Sequence, residues 1–135
     1  MVESKVGSSR SRELRKHLAE RFDLDPGTVS AALMTLVGAI HDRLPRSVEV
    51  SLVSWIPETW GFLQEDGREL FGSAVRGEAA IEERLVAAGL RQDQAAAFAA
   101  ELVAFLERRC GRALAEAMRR RVPELAAFEQ NVPVG

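Results

Sequence analysis

An internal repeat of 66 residues constrains this sequence more than any other feature. When the sequence is aligned with itself at that offset, residues 22–62 match residues 88–128 without a gap. Similarity at a fixed period is typical of a duplicated structural unit. The repeat therefore predicts two pseudo-equivalent units in which matching residues take matching places. The identical pairs are Leu24/Leu90, Ala31/Ala97, Leu36/Leu102, Val37/Val103, Arg43/Arg109, Arg46/Arg112, Pro57/Pro123, Glu58/Glu124 and Phe62/Phe128, and the conservative pairs are Ile40/Leu106, Val48/Leu114, Leu52/Met118 and Ile56/Val122.

Each unit is predicted to contain three helices and a short cap. The first helices span roughly residues 12–22 and 78–88, and here Leu14 and Leu18 match Ile81 and Leu85 after a slip of one residue. The second helices follow with apolar residues at helical spacing. The predicted core of the bundle, with the paired second helices at its centre, includes Leu36, Val37, Ile40, Leu52, Leu102, Val103, Leu106 and Met118.

Helix-boundary signals support this division of the chain. Asp25 is a favourable N-cap, and Pro26 then stands at the first position of the second helix of unit one. Arg91 occupies the corresponding place in unit two. Gly89 is predicted to end the preceding helix, because glycine adopts the left-handed conformation at low cost.

The third helix is ambiguous in the first unit. Residues 48–52 alternate between apolar and polar side chains, as a β-strand would. The matching residues 113–119 of the second unit are strong helix formers. Since matching positions should share a conformation, we expect a helix in both units. Pro57 and Pro123 are expected to end these helices.

The composition is that of an ordinary globular protein, with 47% hydrophobic and 28% charged residues. The predicted fold class is all-α, a helical bundle of two pseudo-equivalent multi-helix repeats. We expect one domain over residues 1–135, because neither half alone has comfortable core volume. Its predicted parts are a flexible tail at 1–10, repeat one at 12–63, a linker at 64–77, repeat two at 78–129 and a tail at 130–135.

The helix-start and helix-stop segments resemble those of a bacterial family called domain of unknown function 2267. The resemblance covers roughly residues 14–128 and implies an all-helical fold without assigning an activity. The sequence departs from the family pattern where isoleucine or valine, in place of leucine, precedes the prolines. The segments that carry the resemblance are Leu24-Asp25-Pro26 with Ile56-Pro57-Glu58, and Leu90 through Gln94-Ala95 with Val122-Pro123-Glu124.

The sequence predicts no catalytic, metal or cofactor site. His17 and His41 are the only histidines, and no His/Cys spacing suits zinc. Cys110 aligns with Leu44 and is expected to pack in the core, since a catalytic thiol needs a neighbouring base. A single cysteine, the lack of a secretory signal and the lack of an apolar run of about 20 residues predict a cytoplasmic protein without a membrane span.

Charge is unevenly distributed along the chain. Residues 108–121 have a net charge of +5, residues 1–21 of +3 and residues 58–107 of −6. One interpretation is contact with phosphate or nucleic acid. The other is a solvated surface with cations near a helix C-terminus, and the segment lacks aromatic residues that would stack on bases. The candidate contact residues are Arg108, Arg112, Arg119, Arg120 and Arg121.

The two units differ most at four apolar residues of the first. Val50, Val53, Trp55 and Trp60 align with Glu116, Arg119, Arg121 and Ala126. Because exposed tryptophan is unfavourable and adhesive, something should cover these side chains. The remainder of the chain, a second copy or a foreign partner would each do so. These four residues are the candidate partner-binding surface.

The sequence thus predicts a non-enzymatic helical interaction or scaffold protein, with a protein partner or a homo-oligomer as its assembly. The alternative is a nucleic-acid-binding accessory protein that uses the 108–121 segment and the basic N-terminus. An enzyme ranks third.

Overall fold

The computed structural model of the protein describes residues 6–40, 43–44, 46–53, 55–56 and 77–131. All regular secondary structure within these ranges is helical, which confirms the all-α class. Of the predicted parts, most of the 64–77 linker and the chain ends at 1–5 and 132–135 lie outside the described residues. The helices are α1 (Val6–Phe22), α2 (Pro26–Ile40), α3 (Arg46–Val53), α4 (Glu78–Ala88), α5 (Gln92–Cys110), α6 (Arg112–Arg121) and α7 (Pro123–Gln130).

The ambiguous third segment of the first half is a helix, as predicted from its counterpart. Just beyond α3, the Ile56 amide donates to the Leu52 carbonyl, four residues earlier, at 2.7 Å. At the matching place the Val122 amide donates to the Met118 carbonyl at 2.9 Å. Pro123 begins α7 as predicted, whereas Pro57 lies outside the described residues.

The second helices begin with different polar side chains. Asp25 caps α2, since its carboxylate accepts hydrogen bonds from the Thr28 amide at 3.2 Å and the Thr28 hydroxyl at 2.8 Å. These bonds favour the ionised form and lower the pKa of Asp25. At the start of α5, the Gln94 amide oxygen accepts from the Arg91 backbone at 3.0 Å. The Gln94 amide nitrogen donates to the buried Phe22 carbonyl, also at 3.0 Å, and so joins α5 to the end of α1.

The first helices end with the same hydrogen bond. The Leu24 amide donates to the Ala19 carbonyl at 2.9 Å, and the Leu90 amide donates to the Leu85 carbonyl at 3.2 Å. The turn requires positive φ, which is 57° at Asp23 and 125° at Gly89. Gly89 therefore ends α4, as predicted.

The core contains all eight residues that the sequence placed there. In α2 and α5 the buried positions coincide at the 66-residue offset. Leu14 and Leu18 of α1, and their counterparts Ile81 and Leu85 of α4, are also fully buried. The coinciding buried pairs are Val29/Ala95, Ala32/Phe98, Leu33/Ala99, Leu36/Leu102, Val37/Val103, Ala39/Phe105 and Ile40/Leu106.

Cys110 departs from this pattern, and the prediction that it packs in the core is wrong. Its counterpart Leu44 is buried, but Cys110 is exposed. The backbone explains the difference. Helix α5 continues through Cys110, whereas α2 ends at Ile40 and Leu44 lies in a bend.

Each first helix packs against the second helices of both halves. Helix α1 contacts α2 and α5, and α4 likewise contacts α2 and α5. Direct contact between α2 and α5 is not among the main helix contacts of the described residues, which differs from the expected central pairing. Helices α6 and α7 pack against α5 and against each other.

A nearly buried ion pair also joins the two halves. The Arg43 guanidinium donates to both carboxylate oxygens of Glu124, at 2.5 and 3.0 Å. The side chains are only 9% and 13% exposed, respectively. The Gly77 amide donates to the same carboxylate at 2.7 Å. These hydrogen bonds outweigh desolvation and lower the pKa of Glu124 to about 2.

Replacing Gly89 with alanine should destabilise the fold more than the same change at Gly111. Both residues have positive φ, which costs roughly 1–3 kcal/mol for a residue with Cβ. An added Cβ at Gly89 would also lie 2.9 Å from Thr28 side-chain atoms, whereas at Gly111 no atom lies within 4 Å. Urea unfolding of both variants measures the difference, and equal losses would contradict the close contact between α4 and α2.

Glu124 should make stability depend on acid pH. Its pKa is about 2 in the folded protein, against 4.5 ordinarily. The stabilisation is therefore complete above pH 4.5 and is lost as the pH falls from there towards 2. It amounts to at most about 3 kcal/mol. The free energy of unfolding, measured at stepwise pH, should depend less on acid pH for the Glu124→Gln variant than for the wild type. Glu116→Gln is the matched control, because that exposed carboxylate has only a 3.9 Å pair with Arg112.

Candidate functional site

A cleft of about 550 Å³ lies between α1, α3 and the end of α5. It brings two of the predicted partner-binding residues, Val50 and Trp55, beside Arg109 of the predicted basic segment. We call it the α3 cleft. The lining residues are Arg10, Glu13, Val50, Ser51, Trp55, Arg109 and Cys110.

The four predicted partner-binding residues do not form one exposed patch. Trp55 is only 5% exposed, and its ring meets Phe105 edge-on at a centroid distance of 5.4 Å. The rest of the chain therefore covers Trp55, which was one of the three possibilities. Val50 is 55% exposed at the rim of the cleft, and Val53 is half-buried. Trp60 lies outside the described residues.

Arginines from two helices surround the aromatic floor of the cleft. The guanidinium carbon of Arg10 is 5.5 Å from the Trp55 ring centroid, and that of Arg109 is 5.2 Å from the Phe105 centroid. At exposed sites each such contact contributes roughly 0.5–1 kcal/mol. Glu13 of α1 forms an ion pair with Arg109. The sequence indicated a basic N-terminal segment but could not place Arg10 and Glu13 opposite α5, because no local pattern encodes that long-range packing.

The thiol of Cys110 lies in this cleft without signs of activation. Partial burial raises its pKa, although a hydrogen bond from the Trp55 side chain and the charge of Arg10 act in the opposite direction. A nucleophilic cysteine needs a lowered pKa and a neighbouring base. No histidine is among the described residues that line the cleft.

The prediction that Arg119 faces a phosphate partner is not supported by its contacts. Its guanidinium donates to Glu129 at 2.9 and 3.0 Å and to Glu107 at 3.1 Å. The side chain is 29% exposed, and the two carboxylates raise its pKa. Arg119 thus ties α6 to α5 and α7, because the packing of these helices places two glutamates around it.

The other predicted arginines do not form a continuous helical face. Arg108 and Arg112 lie on different helices, because α5 ends at Cys110 and Gly111 has a φ of 102°. Arg108 donates to Glu101 at 3.4 Å, and Glu101 also pairs with His17 at 2.6 Å. The remaining two, Arg120 and Arg121, are exposed at the end of α6.

Other classes of site find little support in the part of the chain that the structure describes. No group of three potential metal ligands occurs there. His17 pairs with Glu101, and His41 lies outside the described residues. None of the described helices has the length and apolar character needed to cross a membrane.

Comparison with protein-family models found no match, and comparisons with curated proteins and with solved structures found none either.

Cys110 should react slowly with alkylating reagents at neutral pH despite its exposure. Because its pKa is raised above the ordinary 9.0, the reactive thiolate is a minor species at pH 7. The rate of reaction with iodoacetamide should inflect at higher pH in the folded protein than in the urea-unfolded chain. An inflection at or below the pH found for the unfolded chain would contradict this environment.

Proposed function

We propose that this protein is a non-enzymatic interaction module that binds an acidic segment of a partner protein in the α3 cleft. The observation that carries this proposal is the position of Val50. It is an exposed apolar side chain at the rim of a cleft whose floor is aromatic and whose sides carry Arg10 and Arg109.

The chemistry of the cleft favours a partner with both apolar and acidic groups. Full burial of a valine side chain contributes roughly 1.5–3 kcal/mol. Arginine and aromatic residues are enriched where binding energy is concentrated. Two arginines are among the described residues that line the cleft, so a carboxylate from a partner can approach cationic side chains there.

We also propose that the chain consists of two repeated units, and that it is related to the bacterial family of unknown function that it resembles. The coinciding buried pairs of α2 and α5 support a duplication, as do the equivalent hydrogen bonds at Leu24 and Leu90. In this view the third helix of the first unit, which carries Val50, is specialised for binding.

A nucleic-acid partner is the second candidate. Arg112, Arg120 and Arg121 are exposed and favour it. It has less support, because Arg119 and Arg108 already pair with glutamates, and phosphate affinity depends on the number of cations that remain for phosphate.

A random peptide library displayed on phage and selected on the wild-type protein tests the proposed function. The selected peptides should be rich in Asp and Glu beside an aliphatic or aromatic residue. The Val50→Glu variant should bind them at least tenfold more weakly, a change of about 1.4 kcal/mol, because it removes apolar contact and adds a like charge. Isothermal titration with a synthetic copy of an enriched peptide measures this difference.

Val86→Glu is the matched control, since Val86 is a large hydrophobic residue that is also exposed in the described part of the chain and lies on α4, away from the cleft. It should bind the peptide as the wild type does. Equal binding by the Val50→Glu variant, or selected peptides without acidic residues, would reject the proposal.

A further inference from the structure

The outer faces of α1 and α4 are equivalent in position and opposite in charge. The offset of 67 residues that pairs the buried Leu14 with Ile81 and Leu18 with Leu85 also pairs the outer residues of these helices. Lys16 corresponds to Glu83, and Arg15 corresponds to Glu82. The outer pairs are Arg12/Ala79, Arg15/Glu82, Lys16/Glu83, Ala19/Val86 and Glu20/Ala87.

The outer face of α1 forms a groove with the start of α2, with a volume of about 590 Å³. Its walls include Ala19, Pro26 and the aliphatic parts of Arg12 and Lys16, which are both exposed. Three cationic residues and one acidic residue line it, so its charge is positive. The lining residues are Ser11, Arg12, Arg15, Lys16, Ala19, Glu20 and Pro26.

Part of this groove is held rigid by hydrogen bonds. The Arg15 guanidinium donates to the Ser11 hydroxyl at 2.8 Å and to the Ser30 hydroxyl of α2 at 2.5 Å. These bonds fix the side of the groove between α1 and α2 before any ligand arrives. A preformed site loses less conformational entropy on binding.

The corresponding face of α4 is apolar at its centre and acidic at its edge. Val86 is 41% exposed, and Ala79 and Ala87 beside it are exposed too. Glu82 and Glu83 lie one turn before Val86 on the same side of the helix. Arg84 lies about 100° further round the helix than Glu83, outside the side that carries Val86. We call this surface the α4 face.

We propose that the α4 face of one copy of this protein docks in the α1 groove of a second copy. Val86 supplies the apolar contact with the groove, and Glu82 and Glu83 approach Arg12 and Lys16. The charges are complementary only between different faces, because two α1 grooves or two α4 faces would repel each other. The inference concerns a different surface from the α3 cleft and does not depend on the proposed function.

The position of the two surfaces determines the kind of assembly. Helices α1 and α4 each contact both α2 and α5, and they are not among each other's main contacts. Their outer faces are therefore two separate surfaces. A contact of one face with the other is heterologous, so the same pair of surfaces can extend beyond a dimer.

Sedimentation velocity over a range of protein concentrations tests the inference. The wild type should show concentration-dependent assemblies larger than one chain at low ionic strength. These should decline in 1 M salt, where the Debye length is about 3 Å and charge attraction is screened. A wild type that is monomeric at every concentration up to the millimolar range in low salt would overturn the inference.

Charge exchange provides the decisive variants. Arg12→Glu with Lys16→Glu should abolish assembly, and Glu82→Lys with Glu83→Lys should abolish it too. All four substitutions in one chain should restore assembly, because the two surfaces are again complementary with their signs exchanged. Restoration excludes misfolding as the cause of the earlier losses. If the fourfold variant is folded by circular dichroism yet monomeric, or if either double variant assembles as the wild type does, the inference is wrong.

Two controls separate this inference from the proposed function. Arg120→Glu with Arg121→Glu makes the same change in net charge as Arg12→Glu with Lys16→Glu, but at an exposed site elsewhere. It should leave assembly intact. Val50→Glu should also leave assembly intact while it weakens peptide binding. Val86→Glu should weaken assembly and leave peptide binding intact. Each surface can therefore fail its test independently of the other.

Discussion

The fold depends on the burial of each first helix between the second helices of both halves. Leu14 and Leu18 on α1, and Ile81 and Leu85 on α4, have no exposed surface. A half of about 60 residues buries too little apolar surface to be comfortably stable alone. Because α1 and α4 each contact both α2 and α5, the two halves share one core.

Polar contacts between the halves specify how this core is assembled. Apolar packing alone tolerates several alternative arrangements of helices, whereas buried polar groups need partners at defined places. Gln94 satisfies the buried carbonyl of Phe22, and Arg43 binds both oxygens of Glu124. Both contacts cross from one half to the other, so each half contributes a group that the other half must satisfy.

The sequence predicted the helices and the core well and the surfaces poorly. Helical periodicity and caps such as Asp25 and Gly89 are local signals, and the second unit resolved the ambiguity at α3. The repeat alignment correctly predicted which residues are buried only where the backbones of the two halves have the same conformation. It failed at Cys110, because α5 is longer than α2, and it could not anticipate that glutamates from α5 and α7 surround Arg119. Which side chains meet across helices is a tertiary property that no local pattern encodes.

The divergence of the two halves is what makes their surfaces useful for assembly. Two identical halves would present like-charged outer faces on α1 and α4, and copies of the chain would repel each other there. The core positions of α1 and α4 keep the same apolar character, but their outer positions have exchanged Arg15 and Lys16 for Glu82 and Glu83. Lys16 and Glu83 are exposed, whereas Arg15 also joins α1 to α2 through Ser30. The opposite charges of these outer positions make the two faces complementary, and the proposed assembly depends on that difference.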